Sequence, residues 1–322
     1  MADALLQVRD LDMYFSGGRA SSEGVRAVDK VSFDVKRGES FGIVGESGSG
    51  KTTLGRCLMQ IQKPTAGSVR FHGKTHAGVE LTEADAQTLR AIWRDIRMVF
   101  QDPQSSLNPR LRVIDLIGQS LERAEGLKGQ ALADRVSELL RQVGLRPEFL
   151  HRYPNAFSGG QRQRLGIARA LATKPELIIA DEAVSALDVS IQAQTLNLLM
   201  DLHDAFDLTY VFIAHDLAVV EHFCDRVAVM YRGRIVELAD TQTLFDSPRH
   251  PYTRALLASV PIPDPKARKP RARIKPVEVA VKGVGCQFAP RCPHATDLCT
   301  STRPETRHVG GADVACHFAG EI

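Results

Sequence analysis

A chain of 322 residues, 43% hydrophobic and 25% charged, is long enough for one large α/β domain with an appendage, or for two modest domains. The net charge of +3, from 41 basic against 38 acidic residues, implies no global polyelectrolyte partner; it does not exclude nucleic acid but gives no prompt for it, and no nucleic-acid partner is expected. Nothing approaches the roughly 20 apolar residues of a membrane span, and residues 1–30 hold no apolar signal core; a cytoplasmic protein is expected, meeting a membrane only from its surface.

Residues 5–44 alternate as antiparallel strands do, through Leu6-Gln7-Val8-Arg9 and Val31-Ser32-Phe33-Asp34-Val35, with a Gly/Ser-rich loop across 16–24. Tyr14 and Phe15 precede that loop; either could stack on a nucleobase, and a plain core aromatic is about as good a reading. Phe41-Gly42-Ile43-Val44 then reads as a short buried strand. It leads into Gly45-Glu46-Ser47-Gly48-Ser49-Gly50-Lys51-Thr52-Thr53, which fits G-x-x-x-x-G-K-[ST] and continues into a helix. The glycines let backbone N–H groups turn inward around a phosphate where a Cβ would block them, and the helix N-terminus adds partial positive charge. Lys51 supplies a full charge near the β- and γ-phosphates, and the Thr52 hydroxyl can ligate Mg²⁺. A glycine-rich turn that binds nothing is the bland alternative; the strand before and the helix after favour a nucleoside triphosphate.

Gly67-Ser68-Val69-Arg70-Phe71-His72-Gly73 reads as a strand, 81–94 as a helix ending near Trp93, and Ile96-Arg97-Met98-Val99-Phe100 as a buried strand running into Gln101-Asp102-Pro103. Apolar spacing at Val113, Leu116 and Ile117, then Leu132, Val136, Leu139 and Leu140, predicts two helices between 113 and 143, broken near Gly126 and Gly129. Phe157-Ser158-Gly159-Gly160-Gln161-Arg162-Gln163-Arg164 opens another helix through Ala172. Ser158 caps it, and the two glycines leave its first amides open to an anion. Alone, this is an ordinary helix start. Leu177-Ile178-Ile179-Ala180-Asp181-Glu182 is an apolar strand ending in two carboxylates, which elsewhere can be mere strand-end solubilisers. Downstream of a phosphate loop, Asp181 suits Mg²⁺ and Glu182 suits orienting an attacking water. After the buried strand Tyr210-Val211-Phe212-Ile213-Ala214, His215 is a candidate γ-phosphate sensor.

Together these stretches resemble the ATP-binding subunits of ABC transporters over residues 5 to about 260. They supply a Walker A at 45–52, a Q-loop Gln101, a signature Phe157-Ser158-Gly159-Gly160-Gln161 and a Walker B at 177–182, then a D-loop Ser185-Ala186-Leu187-Asp188 and a switch His215. Within that family the chain is similar to ATPases of bacterial dipeptide and oligopeptide importers, on Phe100-Gln101-Asp102-Pro103-Gln104-Ser105-Ser106-Leu107-Asn108-Pro109, on His250-Pro251-Tyr252-Thr253 and on a cysteine-bearing tail. The resemblance implies an α/β P-loop NTPase fold of ABC type at 1–260. Its parts would be a mixed sheet, an antiparallel β subdomain, a helical subdomain at about 102–157 and a small cysteine-rich C-terminal extension.

It also implies ATP hydrolysis. Phe15, Tyr14, Gly45, Ser47, Gly48, Gly50, Lys51, Thr52, Thr53 and Gln101 would surround ATP, Thr52, Gln101 and Asp181 would hold Mg²⁺, and Glu182 and His215 would act in catalysis. Two ATPase subunits would pair head to tail, Ser158, Gly159, Gly160 and Gln161 of one closing on the nucleotide of the other, with Ser185 and Asp188 in the D-loop. Two different ATPases are favoured over two copies. Two membrane permease subunits, one docking a coupling helix on the helical subdomain, and an extracytoplasmic solute-binding protein complete the implied complex, at the cytoplasmic face of the inner membrane. One departure is Ala183, where the family carries proline; it loosens a turn and removes no chemical group.

Residues 261–285 form a linker rich in proline and basic residues, which suits a solvated spacer or contact with anionic headgroups or a permease. Beyond it, at 286–322, lie Cys286, Cys292, Cys299 and Cys316. In a reducing compartment such clustering argues for metal before disulfide, and four thiolates suit either tetrahedral Zn²⁺ or a 4Fe-4S cluster. The resemblance favours 4Fe-4S over zinc, and a structural role. Cys57 and Cys224 read as packing residues. Two other classes compete: a soluble, non-transport ABC ATPase acting on DNA or ribosomes, and a binding-only regulatory subunit, against which Lys51, Asp181, Glu182 and His215 stand. Peptides lead as the solute, with nickel, opines, glutathione or oligosaccharides as alternatives.

Overall fold

The computed structural model describes residues 4–16, 24–102, 106–185, 188–259 and 285–322. Most of the expected loop at 16–24, Pro103-Gln104-Ser105, Ala186 and Leu187 of the D-loop, and the linker but for Gly285 lie outside the described residues.

Two sheets carry the chain. The strands β1 (Ala4–Phe15), β2 (Val25–Lys36), β4 (Ala66–Phe71) and β5 (Val79–Glu80) form an antiparallel sheet in the order β2-β1-β4-β5. The main sheet runs β11-β12-β10-β9-β3-β8-β7-β6, from β3 (Ser40–Val44), β6 (Ile96–Val99), β7 (Leu177–Asp181), β8 (Thr209–Ala214), β9 (Arg226–Tyr231), β10 (Arg234–Asp240), β11 (Arg307–Val309) and β12 (Ala312–Val314). Its centre, β9-β3-β8-β7-β6, is parallel, and β3, β7 and β8 are buried along their whole length. That is why these runs are continuously apolar rather than alternating.

The period of two still sorts their side chains. Phe41, Ile43, Ile179, Val211 and Ile213 face the antiparallel sheet and the helix Lys51–Leu58, whereas Val44, Ile178, Ala180, Tyr210 and Phe212 face the remaining helices. The phosphate-loop helix is thus clamped between the sheets through Leu54, Cys57 and Leu58, and Cys57 and Cys224 are buried as expected. The helix expected at 81–94 is shorter, Ala86–Ile92, because Asp85 takes the cap and accepts from the Thr88 N–H. The two helices expected at 113–143 are Val113–Glu125 and Gly129–Gln142. The first stops at Gly126 (φ 70°), whose N–H returns to the Glu122 carbonyl as a left-handed C-terminal glycine does.

The tail is built onto the main sheet. β12 pairs antiparallel with β10, and β11 folds back on β12 through Gly310-Gly311, both at positive φ as a tight two-residue hairpin requires. Phe288, Ala312, Val314, Cys316 and Ala319 join the larger core.

Candidate active site

The strand order decides which residues meet. Since β3, β8, β7 and β6 are parallel neighbours, the residues after their carboxyl ends fall side by side: the loop 45–50, His215, Asp181 with Glu182, and Gln101. Open α/β sheets bind ligands at such ends. They border a cleft of about 950 Å³, walled by Ser47, Gly48, Gly50, Lys51, Thr52, Thr53, Gln101, Glu182 and His215. Gly45 and Asp181 stand just behind that wall, joined to it by hydrogen bonds to Lys51 and Thr52.

Within the loop, Gly50 sits at φ 101°, and a Cβ there would lie 2.0 Å from the Ala27 carbonyl oxygen; Gly48 needs its positive φ of 79° although a Cβ would meet nothing. The Lys51 ammonium donates to the carbonyls of Gly45 (2.8 Å) and Glu46 (3.1 Å). Burial lowers its pKa, opposed by the charges of Glu182, Asp181 and Glu46. The Thr52 hydroxyl donates to Asp181 Oδ1 at 3.0 Å, and burial is the main cause that raises the Asp181 pKa. Thr52 and Asp181 therefore offer two hard oxygens side by side. Mg²⁺ is held by one or two protein oxygens plus phosphates rather than by a protein cage, so this pair fits it.

Glu182 turns away from Asp181 because its own backbone is left-handed, φ 46°. Its N–H donates to the Ile213 carbonyl, and Ser185 donates to its carbonyl from both N–H and hydroxyl, so the turn is held with Ala183 in place of proline. The Gln101 amide donates to Glu182 Oε2 at 2.7 Å, and His215 Nδ1 lies 3.4 Å from the same oxygen. Gln101, expected near Mg²⁺, thus contacts Glu182 instead of Thr52 or Asp181.

Tyr14 and Phe15 are exposed and do not border the cleft; the Tyr14 ring lies against Gly24, which does. Ser158, Gly159, Gly160 and Gln161 are also outside it. They form a full capping box, Gln161 N–H to Ser158 Oγ and Ser158 N–H to Gln161 Oε1. A Cβ on Gly160 would sit 2.5 Å from Ile191 Cγ2, so glycine is required where this helix meets the next. Asp188 is exposed at the start of the helix Val189–Phe206.

Residues to which the sequence assigned no part in the site join the cleft from the far end of the chain. Arg232 and Gln287 border it. The hydroxyl of buried Tyr252 accepts from the Glu46 N–H at 2.9 Å. The Tyr252 N–H in turn donates to His250 Nδ1, which holds that imidazole neutral, and burial pushes its pKa down to about 4. With a folded pKa below the usual 6.5, His250 leaves stability intact above pH 6.5 and costs about 3 kcal/mol as pH falls towards 4. We expect His250→Asn, whose side-chain oxygen can cap the same N–H, to flatten that acid loss in thermal melts taken from pH 7 to 4.

The four tail cysteines do come together, with His294 and His317, around one apolar cavity. Its volume is about 10 Å³, room for at most one water, and among the described residues no group of three or more His, Cys, Asp or Glu is arranged to hold a metal. Burial raises the pKa of Cys286 and Cys316, and that of Cys292 to about 11. The expected metal site is therefore met only as a gathering of thiols, and the arrangement among the described residues does not support a 4Fe-4S cluster.

Comparison with known proteins adds the following. A family described as ABC transporter matches residues 28–185, and one described as the oligopeptide/dipeptide transporter C-terminal region matches 236–299. The chain is 51% identical to the "Probable peptide ABC transporter ATP-binding protein y4tS" of Sinorhizobium fredii, across 98% of this chain and 90% of that protein. It is 45% identical to the "Di/tripeptide transport ATP-binding protein DppF" of Pseudomonas aeruginosa, across 99% of each. A solved dimer of the ATP-binding cassette MJ0796 bound to ADP and phosphate superposes with a TM-score of 0.65 at 29% identity, covering 73% of this chain and 98% of that one.

Proposed function

This chain belongs to the ATP-binding subunits of ABC transporters, and from that premise we propose that its strand-end cleft is the ATP-hydrolysing half-site that drives a peptide importer. It is an ATPase, the ATP-binding subunit of a di- or oligopeptide importer. The observation that carries the residue roles is the single cleft in which Lys51, Thr52–Asp181 and Gln101–Glu182–His215 meet.

In this reading the loop amides and Lys51 grip the β- and γ-phosphates. Thr52 and Asp181 hold Mg²⁺, which neutralises charge developing on the phosphate oxygens. Glu182 takes a proton from the attacking water, His215 holds the γ-phosphate, and Gln101 links Glu182 to the permease-facing helices. Ser158, Gly159, Gly160 and Gln161 serve the nucleotide of a second ATPase, with Ser185 and Asp188 between the two; we favour a different chain as that partner. Residues 1–260 would be the ATP-binding domain, with 102–157 docking the permease, 261–285 a linker and 286–322 the cysteine tail.

Among the described residues no helix is long and apolar enough to cross a membrane, which suits attachment through two permease subunits at the cytoplasmic face. The finer reading of the tail as a metal-binding unit, iron–sulfur first and zinc second, rests on the convergence of Cys286, Cys292, Cys299 and Cys316. One purification tests both. The complex reconstituted with its permeases should hydrolyse ATP faster when its external binding protein carries a peptide; indifference to peptide would end the importer reading. About four iron per chain, with matching sulfide, would support the cluster, and metal-free protein would leave four packed thiols.

A further inference from the structure

The cysteine tail reaches the phosphate loop itself. Arg291 closes a two-bond fork on Glu46, Nη1 to Oε2 at 2.9 Å and Nη2 to Oε1 at 2.8 Å. Glu46 follows Gly45 directly, and its peptide carbonyl accepts both from Lys51 (3.1 Å) and from the Ser49 N–H (3.1 Å). Arg291 lies against aromatic walls, its guanidinium carbon 5.8 Å from the Tyr231 ring centre and 5.6 Å from that of Phe288. Phe288 is 1% exposed and packs edge-on to Tyr252, whose hydroxyl takes the Glu46 N–H. Residue 46 is thus gripped at its backbone by one C-terminal element and at its side chain by another. Beside the fork, Gln287 borders the cleft with a buried Oε1 that has no hydrogen-bond partner among the described residues.

An exposed ion pair between mobile side chains contributes little. This pair differs in three respects. It is bidentate, which fixes the plane of both groups. Its arginine is held by rings that belong to the core. Its carboxylate is attached to the peptide that orients the loop lysine, and the same hydrogen bonds hold the Glu46 pKa below the ordinary carboxylate range. A phosphate loop binds through the directions of its peptide groups, so a tilt at 46 is carried to Lys51 and to the amides that follow.

We propose that Arg291 is a positioning residue for the phosphate loop, acting through Glu46, so that the tail sets ATP affinity from within the same chain. The proposal rests on reading this loop as the ATP site. In the assembled transporter, Arg291→Ala should raise the KM for ATP about tenfold while kcat stays within about twofold. Arg291→Lys, which keeps the charge and loses the fork, should fall between. Exchanging the partners, Glu46→Arg with Arg291→Glu, should recover a lower KM than either single change. A parental KM in both Arg291 variants overturns the proposal, as does a fall in kcat at constant KM or a double exchange whose effects simply add. Lys51→Ala in the same preparation keeps the two readings apart: retained ATP binding there would remove the loop from nucleotide binding, whatever Arg291 does.

Discussion

Glu182→Gln should bind ATP as the parent does and turn it over about 10²–10⁴-fold more slowly, the usual contribution of a positioned general base. Glutamine keeps the shape, so the contact with Gln101 at 2.7 Å can persist, but it cannot accept the proton of the attacking water. The carboxylate is well placed for that step: it is mostly buried, within 3.4 Å of His215, and turned towards the cleft by a left-handed backbone. Phosphate release under single-turnover conditions, paired with a nucleotide-binding titration, separates chemistry from affinity. Parental turnover would take Glu182 out of the mechanism.

Lys51→Ala should weaken ATP binding about 10²-fold, from the loss of roughly 3 kcal/mol of charge-assisted hydrogen bonding by a buried ammonium. Lys51 is 4% exposed, and that burial already disfavours its charge; a triphosphate is the counter-charge that repays the cost. The side chain also ties the carbonyls of Gly45 and Glu46 together, so its removal loosens the loop as well. Nucleotide titration by fluorescence checks this. An affinity within twofold of the parent would mean that the loop amides suffice.

Much of the site was legible because its parts are local patterns. A strand, a glycine loop and a helix within 41–58 announce a phosphate cradle, and the structure keeps that order. The capping box of Ser158 and Gln161, the stop at Gly126 and the carboxylates closing β7 follow from rules that act over a few residues.

What the sequence hid was contact across distance. Arg291 and Glu46 stand 245 positions apart, and no periodicity links them. Tyr252 lay in a stretch noticed only for its resemblance, and its hydroxyl matters because the helix Pro251–Ala258 packs beside the loop. Tyr14 and Phe15 were read as either base-stacking or core aromatics; both are exposed at the end of β1, which rules out the core reading, and the Tyr14 ring lies against Gly24 at the cleft border. The four cysteines were correctly grouped, while the smallness of the space they enclose depends on Phe288 and Phe318 packing around them.

The pairing of β12 with β10 also bears on how the molecule is made. During synthesis β10 emerges with one side bare, offering unpaired peptide groups to any passing strand until residues 312–314 leave the ribosome. A nascent chain is therefore exposed to mispairing along β10 until that hairpin covers it, and crowded expression should punish defects in the hairpin as aggregation before it shows them as lost catalysis.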